Sequence, residues 1–134
     1  MTKIVLDTNI VLDLFVFRDL ATVSLQSALE SGTHQWVATQ PMRDELERVL
    51  AYPQIVPRLV FYRLTAADVL AQFDRFTQLV PIAPKACVTC KDADDQKFID
   101  LAVAHKSQLL SKDAAVLSMA KRLFALGVNV SVSL

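Results

Sequence analysis

Short apolar runs alternate along the chain with longer segments whose apolar residues recur at helical spacing. The runs predict β-strands at residues 3–6, 36–39, 80–83, 108–111 and 128–134. The third strand prediction is weak, because Pro81 and Pro84 are tolerated only in an edge strand or at the ends of a strand. The longer segments predict helices at residues 10–17, 22–30, 42–51, 57–63, 65–79, 95–105 and 114–126.

Strands that alternate with helices indicate an α/β fold with a mostly parallel sheet of about five strands. Local signals support several helix ends. Pro41 suits a first helical turn, Thr65 and Asp68 form a capping pair, and Gly127 ends the last helix. We expect residues 1–134 to form a single domain. In such folds the functional crevice lies outside the carboxyl ends of the strands, so the residues that follow strands are the first candidates.

The composition narrows the class of protein. Of the 134 residues, 53% are hydrophobic and 21% are charged, which excludes intrinsic disorder and suits a buried sheet flanked by helices. No apolar run approaches the ~18 residues of a membrane span, and Asp7 interrupts any signal peptide at the start. Two cysteines form no disulfide framework. We therefore expect a soluble cytoplasmic protein.

The balance of charges initially argues against a nucleic-acid partner. Lysines and arginines number 14 and acids number 14, so the formal net charge is zero. The acids, however, comprise eleven Asp and only three Glu. Aspartate is a poor helix former that favours caps, turns and sites. The positions of the aspartates are therefore informative.

The acids follow or precede the predicted strands at one end of the sheet. Asp7 ends the first strand, Asp113 ends the fourth, and Glu45 lies one turn into the helix after the second. Asp92, Asp94 and Asp95 begin the helix before the fourth strand. Carboxylates that converge repel one another, and a divalent cation relieves this repulsion. All-oxygen ligands suit Mg²⁺ or Mn²⁺, and such sites serve phosphoryl transfer to water.

Each acid also has a purely structural interpretation. One of Asp92, Asp94 and Asp95 is needed as a helix cap, and Asp113 is a natural N-cap for the last helix. Glu45 belongs to a charged run that suits a solvated helix face. Asp7 is the hardest to explain in this way, because a carboxylate that ends a buried strand is costly unless it is paired or metal-bound. Purely structural roles for all of these acids at once would not account for their common position at one end of the sheet.

Together these residues resemble the PIN domain, and within it the VapC-like toxin branch of toxin–antitoxin systems. The matching motifs are Asp7-Thr8-Asn9, Glu45, the segment Asp92-Ala93-Asp94-Asp95-Gln96-Lys97-Phe98, and Ser111-Lys112-Asp113. The resemblance extends from Lys3 to the last strand. It implies a PIN-like three-layer α/β/α fold with a central, mostly parallel sheet.

The resemblance also implies a function, namely Mg²⁺- or Mn²⁺-dependent endoribonuclease activity by metal-activated water, leaving 5′-phosphate ends. Positions matching the four acids of the family are Asp7, Glu45, Asp95 and Asp113, with Asp7, Asp95 and Asp113 as metal ligands and Glu45 and Asp92 as further candidate ligands. Positions matching substrate-positioning residues are Thr8, Asn9, Ser111 and Lys112. The implied partners are RNA, a cognate antitoxin and a second copy of the chain, with no membrane.

Two positions depart from the family pattern. Ala93 stands where a proline is expected, and Ala115 stands where a further acid often follows. The first departure predicts a looser loop backbone, and the second removes an auxiliary ligand. Neither removes one of the four acids.

Other candidate residues point less clearly to chemistry. Cys87 and Cys90 form a C-x-x-C pair, which we interpret as two reduced thiols because further zinc ligands are missing. His105 lies on an apolar helical face and is expected to be packed. Five basic residues near the acidic motifs are candidate phosphate contacts, namely Arg43, Arg48, Lys91, Lys97 and Lys112.

Two other functions remain open at this stage. One is a non-catalytic PIN-fold module that binds RNA or protein. The other is a Mg²⁺-dependent phosphohydrolase with Asp7 as nucleophile, although Asn9 occupies the place where haloacid-dehalogenase-type enzymes carry a second Asp. The charge balance no longer excludes RNA. If Asp7, Glu45, Asp92, Asp95 and Asp113 bind metal, nine of the 14 acids remain against 14 bases.

Overall fold

The computed structural model describes residues 2–134 and shows a five-stranded, entirely parallel sheet flanked by helices. The strands are β1 (Thr2–Leu6), β2 (His34–Ala38), β3 (Thr77–Leu79), β4 (Gln108–Leu110) and β5 (Asn129–Ser131). The helices are α1 (Thr8–Leu12), α2 (Val23–Ser31), α3 (Gln40–Leu50), α4 (Val56–Phe61), α5 (Ala66–Phe76), α6 (Gln96–His105), α7 (Ala114–Leu117) and α8 (Ala120–Ala125). The predicted α/β/α architecture is confirmed.

The order of the strands, β3-β2-β1-β4-β5, creates a switch point beside β1. The chain proceeds outward from β1 through β2 to β3, and then returns to the other side of β1 to add β4 and β5. The connection after β1 therefore runs towards one edge of the sheet and the connection after β4 towards the other edge. A crevice opens between them at the carboxyl ends of β1 and β4. Asp7 and Asp113 follow the strands that border this crevice.

The core lies on both faces of the sheet. Ile4, Val5 and Leu109 are fully buried in the central strands, as parallel strands covered on both sides require. Trp36 of β2 packs edge-on against Phe73 of α5, with their ring centroids 5.0 Å apart. These contacts fix α5 against the sheet. Among residues 2–134, no helix combines the length and the apolar character needed to cross a membrane.

The third strand lies earlier than predicted. β3 occupies Thr77–Leu79, whereas residues 80–83 are irregular, and the helix predicted up to Leu79 ends at Phe76. The Val80 N–H donates the last hydrogen bond to Ala38 O, at 2.8 Å. Pro81 has no N–H to continue the ladder, so the strand ends before it.

The last predicted helix is divided in two. α7 and α8 are separated at Ser118 and Met119, and β5 is shorter than the predicted 128–134. The Ser118 hydroxyl donates to Ala115 O at 2.8 Å, which competes with regular helical bonding. The break allows Met119 and Leu123, which are almost fully buried, to enter the core. After Leu12, α1 also continues as a π-helical turn, Asp13–Phe17.

Candidate active site

The predicted acids are brought towards the crevice from four parts of the chain; among residues 2–134, Asp92, Asp95 and Asp113 form a close group, and Asp7 and Glu45 lie outside it. Asp7 is the N-cap of α1 directly after β1, and Asp113 is the N-cap of α7, three residues after the end of β4. Glu45 projects from α3. Asp92 is the N-cap of a 3₁₀ turn, Ala93–Asp95, whose last residue is Asp95 and which leads into α6. The crossover geometry of a parallel sheet therefore collects residues that are far apart in sequence.

Asp7 is the most buried of the predicted acids and is anchored to the neighbouring strand end. It is 4% exposed, and its Oδ2 accepts a hydrogen bond of 2.6 Å from the Ser111 hydroxyl. The same hydroxyl accepts from the Asp113 N–H at 3.0 Å. Ser111 thus links the two acids that follow β1 and β4. Burial raises the pKa of Asp7 above its usual range, and the Ser111 hydrogen bond opposes this shift.

Three carboxylates form a compact cluster. One oxygen from each of Asp92, Asp95 and Asp113 lies within 4.8 Å of the others. Asp92 also accepts from the Asp94 N–H at 3.0 Å, and Asp113 accepts from the Ala115 N–H at 2.8 Å. Both residues therefore act as caps, as their structural interpretation predicts, while also belonging to the cluster. Capping fixes the orientation of both side chains, and each still contributes a carboxylate oxygen to the cluster.

Asp95 is held in an environment that disfavours its charge. It is 7% exposed, and its Oδ2 has no hydrogen-bond partner among residues 2–134. Burial, together with the charges of Asp7, Asp113 and Asp92, raises the pKa of Asp95 to about 7. A hard divalent cation would satisfy the free oxygen and the repulsion together. The all-oxygen donor set therefore fits Mg²⁺ or Mn²⁺.

Glu45 stands beside this cluster and is already partnered. Its Oε2 accepts from the Thr8 hydroxyl at 2.5 Å, and its Oε1 lies 2.9 Å from the Lys97 Nζ. It is close enough to Asp7 for its charge to contribute to the raised pKa of that residue. The Thr8 hydroxyl, which the resemblance assigns to substrate positioning, thus holds Glu45 in place.

Other predicted residues lie at the edge of the site. The Lys112 Nζ is 2.5 Å from Asp13 Oδ2 and so ties the loop after β4 to the end of α1. Asn9 is exposed at the start of α1. Arg43 pairs with Asp74, whereas Arg48 and Lys91 are exposed and form no ion pair within residues 2–134.

The loop that precedes the 3₁₀ turn is secured by two residues that the sequence analysis missed. Gln96 accepts from the Cys90 N–H at 2.7 Å and donates to Val88 O at 3.1 Å. Asp100 accepts from the Ala86 N–H at 2.8 Å and from the Gln96 side chain at 2.8 Å. The sequence signal that could have identified this pair is the spacing of four residues between Gln96 and Asp100, which places both side chains on the same face of α6. Their position behind the loop became evident only in the folded chain.

The remaining candidates have ordinary environments. Cys87 is exposed and Cys90 is buried, and both are free thiols, in keeping with the reduced pair that we expected. His105 is half-buried, and its Nδ1 lies 3.2 Å from the Lys3 Nζ. Neither feature contributes a side chain to the three-carboxylate cluster.

Comparison with known proteins identifies the family. A sequence model of the PIN domain matches residues 3–115, which include all the acids described above. A search of curated proteins found no significant match. PIN domains are generally metal-dependent nucleases, and the acidic cluster is compatible with metal binding. On the strength of the matched residues and the parallel sheet, the chain belongs to the PIN domain family.

Proposed function

We propose that the protein is an endoribonuclease that hydrolyses phosphodiester bonds of RNA with Mg²⁺ or Mn²⁺. The observation that carries this proposal is the convergence of Asp92, Asp95 and Asp113 within 4.8 Å, together with a buried Asp95 oxygen, Oδ2, that has no hydrogen-bond partner among residues 2–134. Such an arrangement is unfavourable without a cation, and it lies at the switch point of the sheet.

The proposed roles follow from where each side chain is held. Asp95, Asp113 and Asp7 would hold the ion, with Asp92 as a further ligand. When bound, the ion supplies an activated water and stabilises the leaving oxygen. Ser111 keeps the Asp7 carboxylate in place. Glu45, held by Thr8 and Lys97, would orient the attacking water by accepting a hydrogen bond from it.

The surface around the site supports RNA as the substrate. Arg48 and Lys91 are exposed and have no ion pair within residues 2–134, so they are available to phosphates. The acids gathered at the crevice account for the zero net charge, and the remaining surface is modestly basic. Asn9, exposed beside Thr8, would contact the substrate at the start of α1.

We further propose that the protein is the cytoplasmic toxin of a type II toxin–antitoxin pair. The similarity of its acidic loop to that branch supports this role. Exposed apolar side chains on α4, Val60 and Phe61, offer a surface to the antitoxin or to a second copy of the chain. Induced expression in bacteria should arrest growth, and Asp7→Asn should abolish the arrest. Unimpaired growth with soluble wild-type protein would contradict the toxin role and leave the nuclease proposal intact.

The nuclease proposal is tested by cleavage of RNA with Mn²⁺. Asp7→Asn and Asp113→Asn should each lower kcat by about 100-fold or more, since they remove ligands of the ion. Asp44→Asn is the matched control, because Asp44 is an exposed acid on α3 outside the cluster. RNA cleavage that survives both substitutions would refute the metal-site assignment.

The same assay separates the other two functions. Hydrolysis of a generic phosphomonoester without cleavage of RNA would favour a phosphohydrolase. The absence of both cleavage and Mn²⁺ binding by calorimetry would favour a non-catalytic module.

A further inference from the structure

Lys97 places a protein cation inside the acidic site. Its Nζ lies 2.9 Å from Glu45 Oε1 and 2.5 Å from the carbonyl oxygen of Asp94. The Lys97 side chain is 26% exposed and that of Glu45 is 19% exposed, so solvent screens the contact only partly. Within residues 2–134, no other lysine or arginine forms an ion pair with the acids of the site.

Both oxygens of Glu45 are engaged by the protein itself. Lys97 neutralises one oxygen, and the Thr8 hydroxyl donates to the other at 2.5 Å. In sites with two divalent ions, the ions lie about 3.5–4 Å apart and are held jointly by several carboxylates. Glu45 is therefore not available as one of the carboxylates that would hold two ions jointly. The three clustered carboxylates of Asp92, Asp95 and Asp113 then provide a ligand set for one ion, and Asp7 is near enough for the charge of Asp113 to affect its pKa.

The carbonyl contact gives Lys97 a second connection to the site. Asp94 is the middle residue of the 3₁₀ turn that presents Asp95, and Lys97 lies in the first turn of α6 that follows. The ammonium therefore joins this turn to α3 through Glu45, and from there to the start of α1 through Thr8. Three elements that surround the site are fixed by one charged group.

We propose that Lys97 takes the place of a second divalent cation, so that the site binds a single ion and Lys97 positions Glu45. This inference rests on the proposed function, because it assigns the Glu45–Lys97 pair to phosphodiester hydrolysis. A lysine ammonium is a compact point charge with several donors, which suits this replacement. The ion-binding part of the inference is measurable without any substrate.

The test is the stoichiometry of Mn²⁺ binding by titration calorimetry. The wild type should bind one Mn²⁺ per chain. Lys97→Met preserves the apolar stem and removes the charge, so Glu45 becomes an available ligand and a second Mn²⁺ should bind. Adding Glu45→Gln to Lys97→Met should remove the second ion. Lys91→Met is the matched control and should bind one ion, because Lys91 is exposed and has no ion pair within the described chain.

Two results would overturn the inference, namely two ions bound by the wild type or a single ion bound by folded Lys97→Met. Circular dichroism establishes whether that variant is folded. If it is not, the wild-type stoichiometry and Lys97→Arg decide the question. Lys97→Arg retains the charge and should bind one ion.

Cleavage kinetics test the positioning role. Lys97→Met should lower kcat for RNA by about tenfold or more, equivalent to about 1.4 kcal/mol, and change KM little. Lys97→Arg should restore part of kcat. A rise in KM at constant kcat would instead show that Lys97 binds phosphate. A wild type that binds one Mn²⁺ but cleaves no RNA would refute the proposed function and leave the single-ion inference standing.

Discussion

At the scale of single residues, the site is built from side chains that serve both structure and chemistry. Asp113 and Asp92 cap helical turns while their oxygens converge with Asp95. Ser111 donates to Asp7 and accepts from the Asp113 backbone. A residue that caps a turn is oriented before any ligand arrives, which lowers the cost of assembling the site.

The raised pKa of Asp95 predicts how the metal-free protein responds to pH. Since this pKa is about 7 in the folded chain and near 3.8 ordinarily, the folded state binds an extra proton between these values. In a chelating buffer, the free energy of unfolding should therefore fall as pH rises from about 4 to 7 and then level off. Urea unfolding at pH 5 and pH 8 measures this difference.

Two comparisons identify Asp95 as the source of that dependence. Asp95→Asn should make the pH profile shallower, leaving the part due to Asp7, whose pKa burial also raises, whereas Asp94→Asn, at an exposed position on the same turn, should leave it unchanged. Saturating Mg²⁺ should also flatten it, because the ion binds the carboxylate form. An Asp95→Asn profile as steep as that of the wild type would contradict the assignment.

Ser111→Ala should be costly despite the small change in volume. The hydroxyl is fully buried, so its removal leaves a carboxylate and a backbone N–H without their partner. We expect the free energy of unfolding to fall by about 1–3 kcal/mol. Ser118→Ala is the control, since Ser118 is exposed, and its effect should be within about 0.5 kcal/mol. Equal destabilisation of the two variants would show that burial is not the cause.

At the scale of elements, the sequence pattern predicted the identity and order of strands and helices, while tertiary contacts set several of their ends. The apolar stripe of α5 appeared to reach Leu79, which instead belongs to the edge strand β3 and is 47% exposed. The break between α7 and α8 depends on the burial of Met119, which periodicity does not reveal. Helical spacing alone does not distinguish a continuous helix from two that share a face.

The proximity of Asp7 and Asp113 was predictable from the parallel arrangement of the strands. Parallel strands have their carboxyl ends at the same edge, so Asp7 and Asp113 had to be neighbours once β1 and β4 were adjacent. The pairing of Lys112 with Asp13 and of Lys97 with Glu45 was not predictable. These ion pairs join different elements, and they depend on side-chain directions that sequence spacing does not specify.

The attachment of the loop to α6 is testable at this scale. Gln96→Ala removes the hydrogen bonds to Cys90 and Val88, so the amide of Cys90 should exchange with deuterium faster, while amides of β1 should not. Cleavage of RNA should weaken as well, because this loop leads to Asp92. Gln72→Ala, at an exposed position on α5, is the control. Unchanged exchange at Cys90 would show that the loop is held by other interactions.

At the scale of the whole molecule, the charges are separated into an acidic crevice and a more basic remainder. The formal net charge of zero conceals this separation. Long-range attraction of a polyanion depends on the remainder, because a bound ion neutralises part of the crevice. A balanced composition is therefore compatible with the proposed RNA substrate.

Salt should therefore weaken RNA binding by catalytically inactive Asp7→Asn in the presence of Mg²⁺. Removing one side chain that binds a phosphate should reduce the slope of log Kd against log salt concentration by about 0.7 for single-stranded RNA. Arg48→Gln and Lys91→Gln are expected to do so, while Lys121→Gln, on α8, should not. Fluorescence anisotropy over a range of KCl concentrations measures these slopes. Equal slopes in all variants would contradict a local phosphate-binding surface.

The switch point of the sheet also affects when the acids of the site come together during synthesis. The hydrogen bond that anchors Asp7 comes from Ser111, 104 residues further along the chain. Asp113 is added to a growing polypeptide after Asp7, Glu45 and Asp92. A ribosome-bound chain therefore carries an incomplete set of acids until most of the domain has been synthesised, and β4 must then pair with β1. In a protein proposed to be toxic to its own cell, this order delays activity until translation of the domain is nearly finished.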